Sequence, residues 1–254
     1  GGCYELDWDS NLTWEYEDEL LHHDYERLPS GNTLLVKWVP MPKRFVRRVK
    51  GCYHADGDDP NSMLGDVVIE VTPEGKTIKE WKSWEHLDFA TDLICPLEYR
   101  REWTHCNSIS LSPKGNWLLS FRRINALLEV QPKSGRIVWK ILNLTAHQHD
   151  AKYVSDNTIT VFDNGVHGRG PEFSRAVEID VKKKEIIWQY NDDPPFSFFT
   201  FMAGGVDQLP NGNHLICESA KGHFFEVTRD KKVVWEYINP IFTTNPRLGG
   251  RGNF

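Results

Sequence analysis

The segment FFEVTRDKKVVWEY, residues 224–237, decides the fold because the chain contains five similar copies of it. Each copy has an apolar strand, a polar turn with Gly, Asp or Lys, and a second strand that carries a tryptophan, which is typical of a β-hairpin. A glutamate in the first strand precedes that tryptophan by 9–11 residues in every copy. The other copies are AVEIDVKKKEIIWQY (176–190), LLEVQPKSGRIVWKI (127–141), VIEVTPEGKTIKEW (68–81) and YELDWDSNLTWEY (4–16). We predict that each tryptophan packs between neighbouring sheets.

A second hairpin precedes most copies of the first. It reads HDYERLPSGNTLLV (23–36), HCNSISLSPKGNWLLSF (105–121), HDAKYVSDNTITVF (149–162) and GGVDQLPNGNHLICE (204–218). Together the two hairpins make four-stranded modules of 40–60 residues, the signature of a β-propeller. We therefore predict an all-β chain, in which residues 1–254 form a single β-propeller domain truncated at one or both ends. The intact protein is predicted to have five or six blades.

Two stretches interrupt the repeats and are predicted to be loops over one mouth of the propeller, residues 40–65 and 82–103. The basic cluster at 43–50 within the first stretch is predicted to be solvated. No segment has the apolar periodicity of a helix. Only residues 18–26 could form a short turn, and the HHD motif within them favours the start of a strand instead.

Composition excludes several classes of function. The formal net charge of −6 argues against binding along a nucleic-acid backbone, and no apolar run is long enough to cross a bilayer. The five cysteines include no CxxC pair, which argues against a zinc ribbon or a redox motif and leaves zero to two disulfides open. The sequence does not determine the oligomeric state.

Histidines recur where the modules begin, at His23, His105 and His149, whereas the fourth module has Gly204 and Gly205. Since the innermost strands of a propeller line its axis, we expect these side chains to converge on a central site, with the glycines leaving room for a substrate. The alternative is that the histidines bind backbone carbonyls and so join neighbouring blades. Polar residues follow each histidine within two positions: Asp24, Asn107 and Asp150.

A glycine-rich loop follows VFDNG and carries His167, Arg169 and Arg175. Arg175 precedes the next strand, where its guanidinium could bind a sulfate, phosphate or carboxylate. The alternative is a salt bridge with Glu172 or another carboxylate.

Several of these segments resemble the bacterial arylsulfotransferase family, in order over most of residues 4–240. They are THCNSISL, QHDAKYVSDNTITVFDNG, SRAVEID and LPNGNHLICESAKGHFFEVTRDKKVVWEY. The resemblance implies a β-propeller with its active site at the central channel. It also implies transfer of a sulfuryl group from an aryl sulfate to a phenol without a nucleotide donor, by way of a histidine nucleophile.

The resemblance carries roles over to particular residues. Arg175, with Arg169 beside it, would hold the anionic group, His105 and His149 would act as hydrogen-bond donors or acid–base groups, and Asn107 would orient the substrate. The family's nucleophilic histidine has no clear counterpart, because His223 is expected to lie far from a strand start and His214 follows the Asn-Gly-Asn turn. His23 is our substitute. We expect no cofactor, a small aromatic or anionic substrate, and a periplasmic or secreted location.

Two other hypotheses remain open at this point. The first is an enzyme that depends on copper, iron or zinc, because histidines and carboxylates recur in pairs such as HHD (22–24) and HLD (86–88). Its predicted ligands are His23, His86, His105, His149, Asp24 and Asp150. The second is a non-enzymatic propeller that binds a partner on one face.

Overall fold

The computed structural model of the chain describes residues 1–53, 59–168 and 170–241, together with the backbone of 243–245 and 250–252. The chain divides into two compact units, residues 1–140 (unit 1) and 141–254 (unit 2). It is 49% strand and 6% helix, which confirms the all-β class. Whether the strands form a single domain stays a prediction.

Unit 1 begins with a hairpin and continues with two four-stranded sheets, the last of which ends at the boundary between the units. Its strands are β1 (Gly2–Leu6), β2 (Leu12–Glu17), β3 (Leu21–Arg27), β4 (Thr33–Pro40), β5 (Gly51–Tyr53), β6 (Leu64–Val71), β7 (Thr77–Lys82), β8 (Ile94–Tyr99), β9 (Cys106–Leu111), β10 (Trp117–Phe121), β11 (Ala126–Val130) and β12 (Ile137–Leu142). Its helices are α1 (Lys43–Val46) and α2 (Ser83–His86).

Unit 2 has two further four-stranded sheets and a short hairpin. Its strands are β13 (His149–Tyr153), β14 (Thr158–Asp163), β15 (Arg175–Asp180), β16 (Glu185–Tyr190), β17 (Gly205–Gln208), β18 (His214–Glu218), β19 (His223–Val227), β20 (Val233–Ile238), β21 (Thr243–Asn245) and β22 (Gly250–Gly252). Single turns of 3-10 helix lie at Pro195–Ser197 and Ser219–Lys221.

Each four-stranded sheet joins the two hairpins recognised in the sequence. The strand orders are β3-β4-β6-β7, β9-β10-β11-β12, β13-β14-β15-β16 and β17-β18-β19-β20. The first strands of three sheets are bulged near the predicted histidines, with register shifts between Leu21 and Tyr25, opposite Ser120 and Phe121, and between His149 and Lys152. A bulge re-aims the side chains around it, so these strand starts are local exceptions to the regular ladder.

The two interruptions are not plain loops, which corrects the prediction for residues 40–65 and 82–103. The first contains α1 and β5, the second contains α2 and β8, and β5 pairs with β8 in parallel. The basic cluster lies on α1 and on the residues that follow it, with Val46 and Val49 buried beneath it. Arg100 stabilises this arrangement, because its guanidinium donates to the carbonyls of Val46 (2.7 Å) and Val49 (3.2 Å) at the end of the helix. Apolar periodicity could not reveal helices of four residues.

The repeated tryptophan bridges neighbouring sheets, as predicted, at three of its five positions. The indole N–H donates to a turn carbonyl beyond its own sheet in each case: Trp14 to Pro73 (2.9 Å), Trp81 to Gly135 (2.9 Å) and Trp188 to Arg229 (3.0 Å). Trp139 instead donates to Glu129 in its own sheet, and Trp235 is half-exposed.

Replacing Trp81 by phenylalanine is expected to lower the free energy of unfolding by about 1 kcal/mol. The ring remains, but the Gly135 carbonyl loses its donor. Trp235→Phe is the matched control, because that side chain lies on an exposed strand, and urea unfolding should show almost no change for it. An equal loss in both variants would mean that ring volume, rather than the indole bond, accounts for the effect.

The repeated glutamate is held by asparagines of the Gly-Asn turn in three repeats. Glu70 accepts from Asn32 (2.7 Å), Glu129 from Asn116 (2.5 Å), and Glu226 from Asn211 and Asn213. In the other two repeats the glutamate is Glu5, which accepts from Arg27, and Glu178. The Glu178 carboxylate accepts from Arg229 and faces the Nε2 atom of His214 at 2.9 Å.

Replacing Glu178 by alanine is expected to destabilise unit 2 by about 3 kcal/mol at neutral pH. The side chain is only 4% exposed, and the change leaves the fully buried His214 without its carboxylate. Half of the Arg229 side chain is exposed, so water compensates that partner in part. Glu226→Ala is the control at the equivalent, more exposed position, and its loss should be much smaller.

The pH dependence of this loss has a definite sign. Burial alone would raise the pKa of Glu178, but its bonds with His214 and Arg229 outweigh burial, so the pKa lies below the ordinary value of 4.5. A lowered native pKa stabilises the fold above the unfolded pKa, and that stabilisation disappears as the pH falls through the native pKa. The difference between wild type and Glu178→Ala should therefore be constant above pH 4.5 and shrink below it. A difference that grows in acid would contradict this assignment.

Within the described residues, no helix is long and apolar enough to span a membrane. All five cysteines are thiols rather than disulfides.

Candidate functional site

Three imidazoles of unit 1 form a continuous chain of contacts between two carboxylates. His22 Nδ1 lies 2.8 Å from His23 Nδ1, and His23 Nε2 lies 3.1 Å from His105 Nε2. At the two ends, His22 Nε2 is 3.1 Å from Asp66 Oδ1, and His105 Nδ1 is 3.0 Å from Glu102 Oε1. The structure therefore brings two of the predicted site residues, His23 and His105, into direct contact.

The two carboxylates at the ends of this chain of imidazoles are held in place by other groups. Asp66 is buried on β6, where Oδ2 accepts from the hydroxyl of Thr104 and from the backbone N–H of Cys106 (3.0 Å). Burial alone would raise the pKa of Asp66, but its contacts with His22 and Thr104 outweigh burial and hold the pKa below its usual value. Glu102 also contacts the guanidinium of Arg123 at 3.1 Å.

An indole and a cavity border the imidazole chain. Trp38 stacks on His22 with ring centroids 4.0 Å apart, and it meets the His23 and His105 rings edge-on or tilted. A cavity of about 360 Å³ lies between β1 and β3 and is lined by His22 and His23 together with Tyr4 and Tyr25. Aromatic and polar groups of this kind suit a small aromatic ligand.

The backbone at the histidines is unusual. His23 and His105 have φ angles of 59° and 56°, a left-handed region in which histidine, asparagine and aspartate are over-represented among residues other than glycine. Counted back from the hairpin turn, His23 and His149 occupy the same repeat position, and Asn107 is the equivalent residue in β9. His105 lies two residues further from its turn. The predicted equivalence of the three histidines is therefore wrong for His105, although His105 does reach His23.

In unit 2, His149 is oriented by an asparagine. Asn164 donates through Nδ2 to the carbonyls of Thr200 (2.9 Å) and Ala203 (2.8 Å), so its Oδ1 atom must face His149 Nδ1 at 2.7 Å as an acceptor. This arrangement assigns the proton of the neutral ring to Nδ1 and the lone pair to Nε2. Gly165 follows Asn164 with φ of 70°, and a Cβ atom there would meet the Phe173 carbonyl oxygen at 1.9 Å.

Arg175 forms the salt bridge that the sequence offered as an alternative, but with Asp163 rather than Glu172. Its Nε atom donates to Asp163 (3.0 Å), one terminal nitrogen also binds Asp163, and the other donates to Gln189 (3.1 Å). Burial raises the pKa of Asp163, and Arg175 opposes that shift. These bonds use three of the five guanidinium N–H groups and leave one on each terminal nitrogen. Arg169 lies outside the described residues.

The aspartates that follow the histidines join neighbouring sheets. Asp24 Oδ2 accepts from the backbone N–H of Ile109 (2.9 Å), and Asp150 Oδ2 accepts from that of Val206 (2.8 Å). Burial raises the pKa of Asp150, and Lys152 opposes that shift. The aspartates thus make the kind of connection between sheets that we considered for the histidines.

The glycines of the fourth module have a packing explanation. A Cβ atom at Gly204 would lie 2.6 Å from the Phe162 ring, and one at Gly205 would lie 2.7 Å from Asp150 Oδ2. Close packing therefore explains why both positions are glycine, in place of the predicted room for a substrate.

The other predicted ligands and site residues have separate surroundings. His86 stacks on Trp81 with centroids 4.8 Å apart, and burial lowers its pKa. Asn107 is buried in β9. Within the described part of unit 1, no three ligand atoms of the predicted metal ligands lie within 4.8 Å of one another. The predicted ligands of this unit are His23, His86, His105 and Asp24. The metal hypothesis stays a prediction.

Sequence reasoning missed the residues that orient these histidines, namely His22, Trp38, Asp66 and Glu102 in unit 1 and Asn164 in unit 2. The HHD motif was a visible signal for His22, and VFDNG was one for Asn164. Asp66 directly follows the first interruption, Glu102 lies at the end of the second, and neither residue belongs to a motif.

Comparison with known families decides where the chain belongs. The model of the family described as Arylsulfotransferase (ASST) matches residues 1–240. The chain belongs to the arylsulfotransferase family. This finding confirms the resemblance carried by the histidine and arginine segments and supports an arylsulfotransferase-like function in general. No curated protein matches the sequence.

Solved structures support the fold of this arylsulfotransferase family member. A protein of unknown function from Bacteroides caccae has a TM-score of 0.58 at 14% identity, covering 94% of this chain and 75% of its own. The WD40 repeats of RRP9 give 0.51 at 8% identity, covering 86% and 51%, and U3-55K gives 0.50 at 9%, covering 87% and 53%. The chain thus spans about half the length of the last two. These likenesses place the four-stranded sheets among β-propeller folds.

Proposed function

We propose that the chain is an arylsulfotransferase that moves a sulfuryl group from an aryl sulfate to a phenol. Membership of the family over residues 1–240 carries the reaction class. The contact between His23 and His105 supports a chemical route, because it pairs an exposed imidazole with a second one held by Glu102. A closed propeller of five or six blades and a periplasmic or secreted location belong to the same proposal.

In the proposed first step, His23 Nε2 attacks the sulfur atom. An S–N bond forms as the S–O bond to the aryl group breaks, and the electron pair of that bond passes to the aryl oxygen. His105 Nε2 gives this oxygen a proton, so a phenol leaves rather than a phenolate. In the second step the acceptor phenol attacks sulfur, its proton returns to His105, and the S–N bond breaks to restore His23.

The remaining predicted residues have supporting roles in this proposal. The two N–H groups that Arg175 does not use for Asp163 or Gln189 suit two sulfate oxygens. His149 serves as an acid–base group through Nε2, which its contact with Asn164 leaves with a lone pair. Asn107 orients the substrate. No cofactor takes part.

The test is an assay of purified protein with 4-nitrophenyl sulfate as donor and phenol as acceptor, without nucleotide. The proposal expects release of 4-nitrophenol that depends on the acceptor, together with formation of phenyl sulfate seen by mass spectrometry. Release of inorganic sulfate without phenyl sulfate would mean hydrolysis, and absence of both products would reject the proposal.

Metal content separates this function from the metal-dependent alternative. Elemental mass spectrometry of protein purified without added metal should find no stoichiometric copper, iron or zinc if sulfuryl transfer is the activity. Near-stoichiometric metal that is lost on substituting His23, His105 and His149 together would favour the alternative.

A further inference from the structure

We propose that α1, β5 and β8 of unit 1 form a face that docks on a membrane surface rich in anionic phospholipids. These elements lie in the two interruptions of the repeat. The inference goes beyond sulfuryl transfer and does not depend on it. It concerns the basic cluster, to which the proposed function assigns no role.

Positive charge is concentrated on this face. The chain as a whole is acidic, with a formal net charge of −6, yet residues 40–53 contain five lysines and arginines and no aspartate or glutamate. One further arginine follows β8, so the exposed cations of the face are Lys43, Arg44, Arg47, Arg48, Lys50 and Arg101. Within the part of the chain that the structure describes, no carboxylate forms an ion pair with any of them. Clusters of this kind are attracted to anionic lipid headgroups.

The acidic residue of β8 points away from the face. Successive side chains of a strand alternate between its two sides. Leu97 and Tyr99 are 65% and 52% exposed, whereas the Glu98 side chain between them is 12% exposed and contacts Arg122 (2.7 Å) and Arg123 (3.4 Å). The face therefore keeps its positive charge and also presents apolar side chains.

These apolar side chains decide which kind of partner fits. Tyr53 of β5 is also exposed, and its ring meets that of Tyr99 with centroids 5.9 Å apart. The Arg101 guanidinium lies 5.9 Å from the centroid of the Tyr99 ring. Cations interleaved with tyrosine and leucine suit the boundary between lipid headgroups and acyl chains. A sulfated polysaccharide would neutralise the cations but would offer Leu97 no apolar contact, so the lipid surface fits better.

The face is held in shape before any partner binds. Arg100 donates to the carbonyls of Val46 (2.7 Å) and Val49 (3.2 Å), which ties the end of β8 to α1. The Arg48 guanidinium lies 4.3 Å from the centroid of the Phe89 ring. A preformed surface binds without the entropic cost of ordering its side chains.

The first test uses the full chain and two kinds of vesicle, without any activity assay. One kind is phosphatidylcholine alone, and in the other about a third of the lipid is phosphatidylglycerol. Flotation should show at least about 10-fold tighter binding to the mixed vesicles, with affinity falling as salt rises because salt screens the charges. Equal binding to both kinds, or binding to neither, would overturn the inference.

A charge variant tests whether this face is the one that binds. It carries Lys43→Gln, Arg44→Gln and Lys50→Gln, and none of these side chains takes part in a hydrogen bond within the described residues. Each cation near an anionic surface contributes about 5-fold in affinity, so binding to the mixed vesicles should weaken about 100-fold.

The matched control removes the same charge from exposed turns of other sheets. It carries Lys133→Gln, Lys182→Gln and Lys183→Gln. Its affinity for the mixed vesicles should stay within about 3-fold of the wild type. An equal loss in both variants would mean that net charge alone governs binding, and would overturn the assignment to this face.

An apolar variant separates a lipid surface from an anionic polymer. Leu97→Ser combined with Tyr99→Ser should weaken binding to the mixed vesicles about 10-fold while leaving any binding to heparin unchanged. No loss with vesicles, or wild-type protein that binds heparin but not vesicles, would assign the face to a polymer and overturn the inference. If thermal unfolding shows that this variant is not folded, the wild-type comparison of vesicles with heparin still decides.

Discussion

Replacing His105 by asparagine is expected to lower kcat/KM for sulfuryl transfer by about 10⁴-fold, the upper range for loss of a general acid. Asparagine is chosen because it tolerates the left-handed backbone of this position, where φ is 56°, better than alanine does. It cannot donate a proton to the leaving aryl oxygen. The loss corresponds to about 5.5 kcal/mol of transition-state stabilisation. It is measured with an aryl sulfate of a weakly acidic phenol.

His86→Asn is the control for the His105 variant. His86 is a partly buried histidine of unit 1 that stacks on Trp81 and was predicted as a ligand only by the metal hypothesis. Its replacement should leave kcat/KM within about 3-fold of the wild type, and thermal unfolding should show that both variants are folded. Loss of activity in His86→Asn but not in His105→Asn would contradict the assignment of the acid.

The fold was largely predictable because its information is repeated. Five spaced copies of a glutamate and a tryptophan identify the hairpins, and the structure shows why the spacing is kept. Trp81 bridges to the Gly135 carbonyl, and Glu70 accepts from Asn32 of the preceding turn. Residues that form the same contact in several modules leave the same pattern in the sequence. The short helices in the interruptions occur once, and nothing in the pattern announced them.

The candidate site was only partly predictable, because its contacts are not repeated. His23 was found by its place at a strand start, yet the alignment with His105 was wrong by two residues, because His105 lies two residues further from its hairpin turn than His23 does. Asp66 lies in mid-strand and reaches His22 only through the pairing of β3, β4 and β6. A sequence pattern can place a residue on a strand, but it does not show which side chain from another strand meets it.

For Arg175 too, the sequence indicated the residue but not the side chain that contacts it. Its type and position fit an anion site, and the family match supports that role, but the sequence could not show that Asp163 already takes two of its nitrogens. Asp163 directly precedes Asn164, which orients His149. One short segment therefore positions both predicted residues of unit 2, so substitutions there are expected to affect histidine and arginine together.

Replacing His149 by alanine is expected to lower kcat for sulfuryl transfer by about 10³-fold, since an acid–base group contributes roughly 10²–10⁴-fold. The same change removes the donor from Asn164 Oδ1, which should lower the free energy of unfolding by about 1–3 kcal/mol. Activity per folded molecule, measured well below the melting temperature, separates the two effects.

His214→Ala is the matched control for His149→Ala. His214 is also a buried histidine of unit 2, but it stacks on Trp188 and faces Glu178, and no chemistry is assigned to it. Its loss should lower stability at least as much while leaving kcat per folded molecule nearly unchanged. If the two variants lose activity only in proportion to stability, His149 is a structural residue, and the acid–base role passes to the histidine chain of unit 1. If only His149→Ala loses turnover, loss of structural support does not explain the result, because His214→Ala removes a histidine that is buried more deeply.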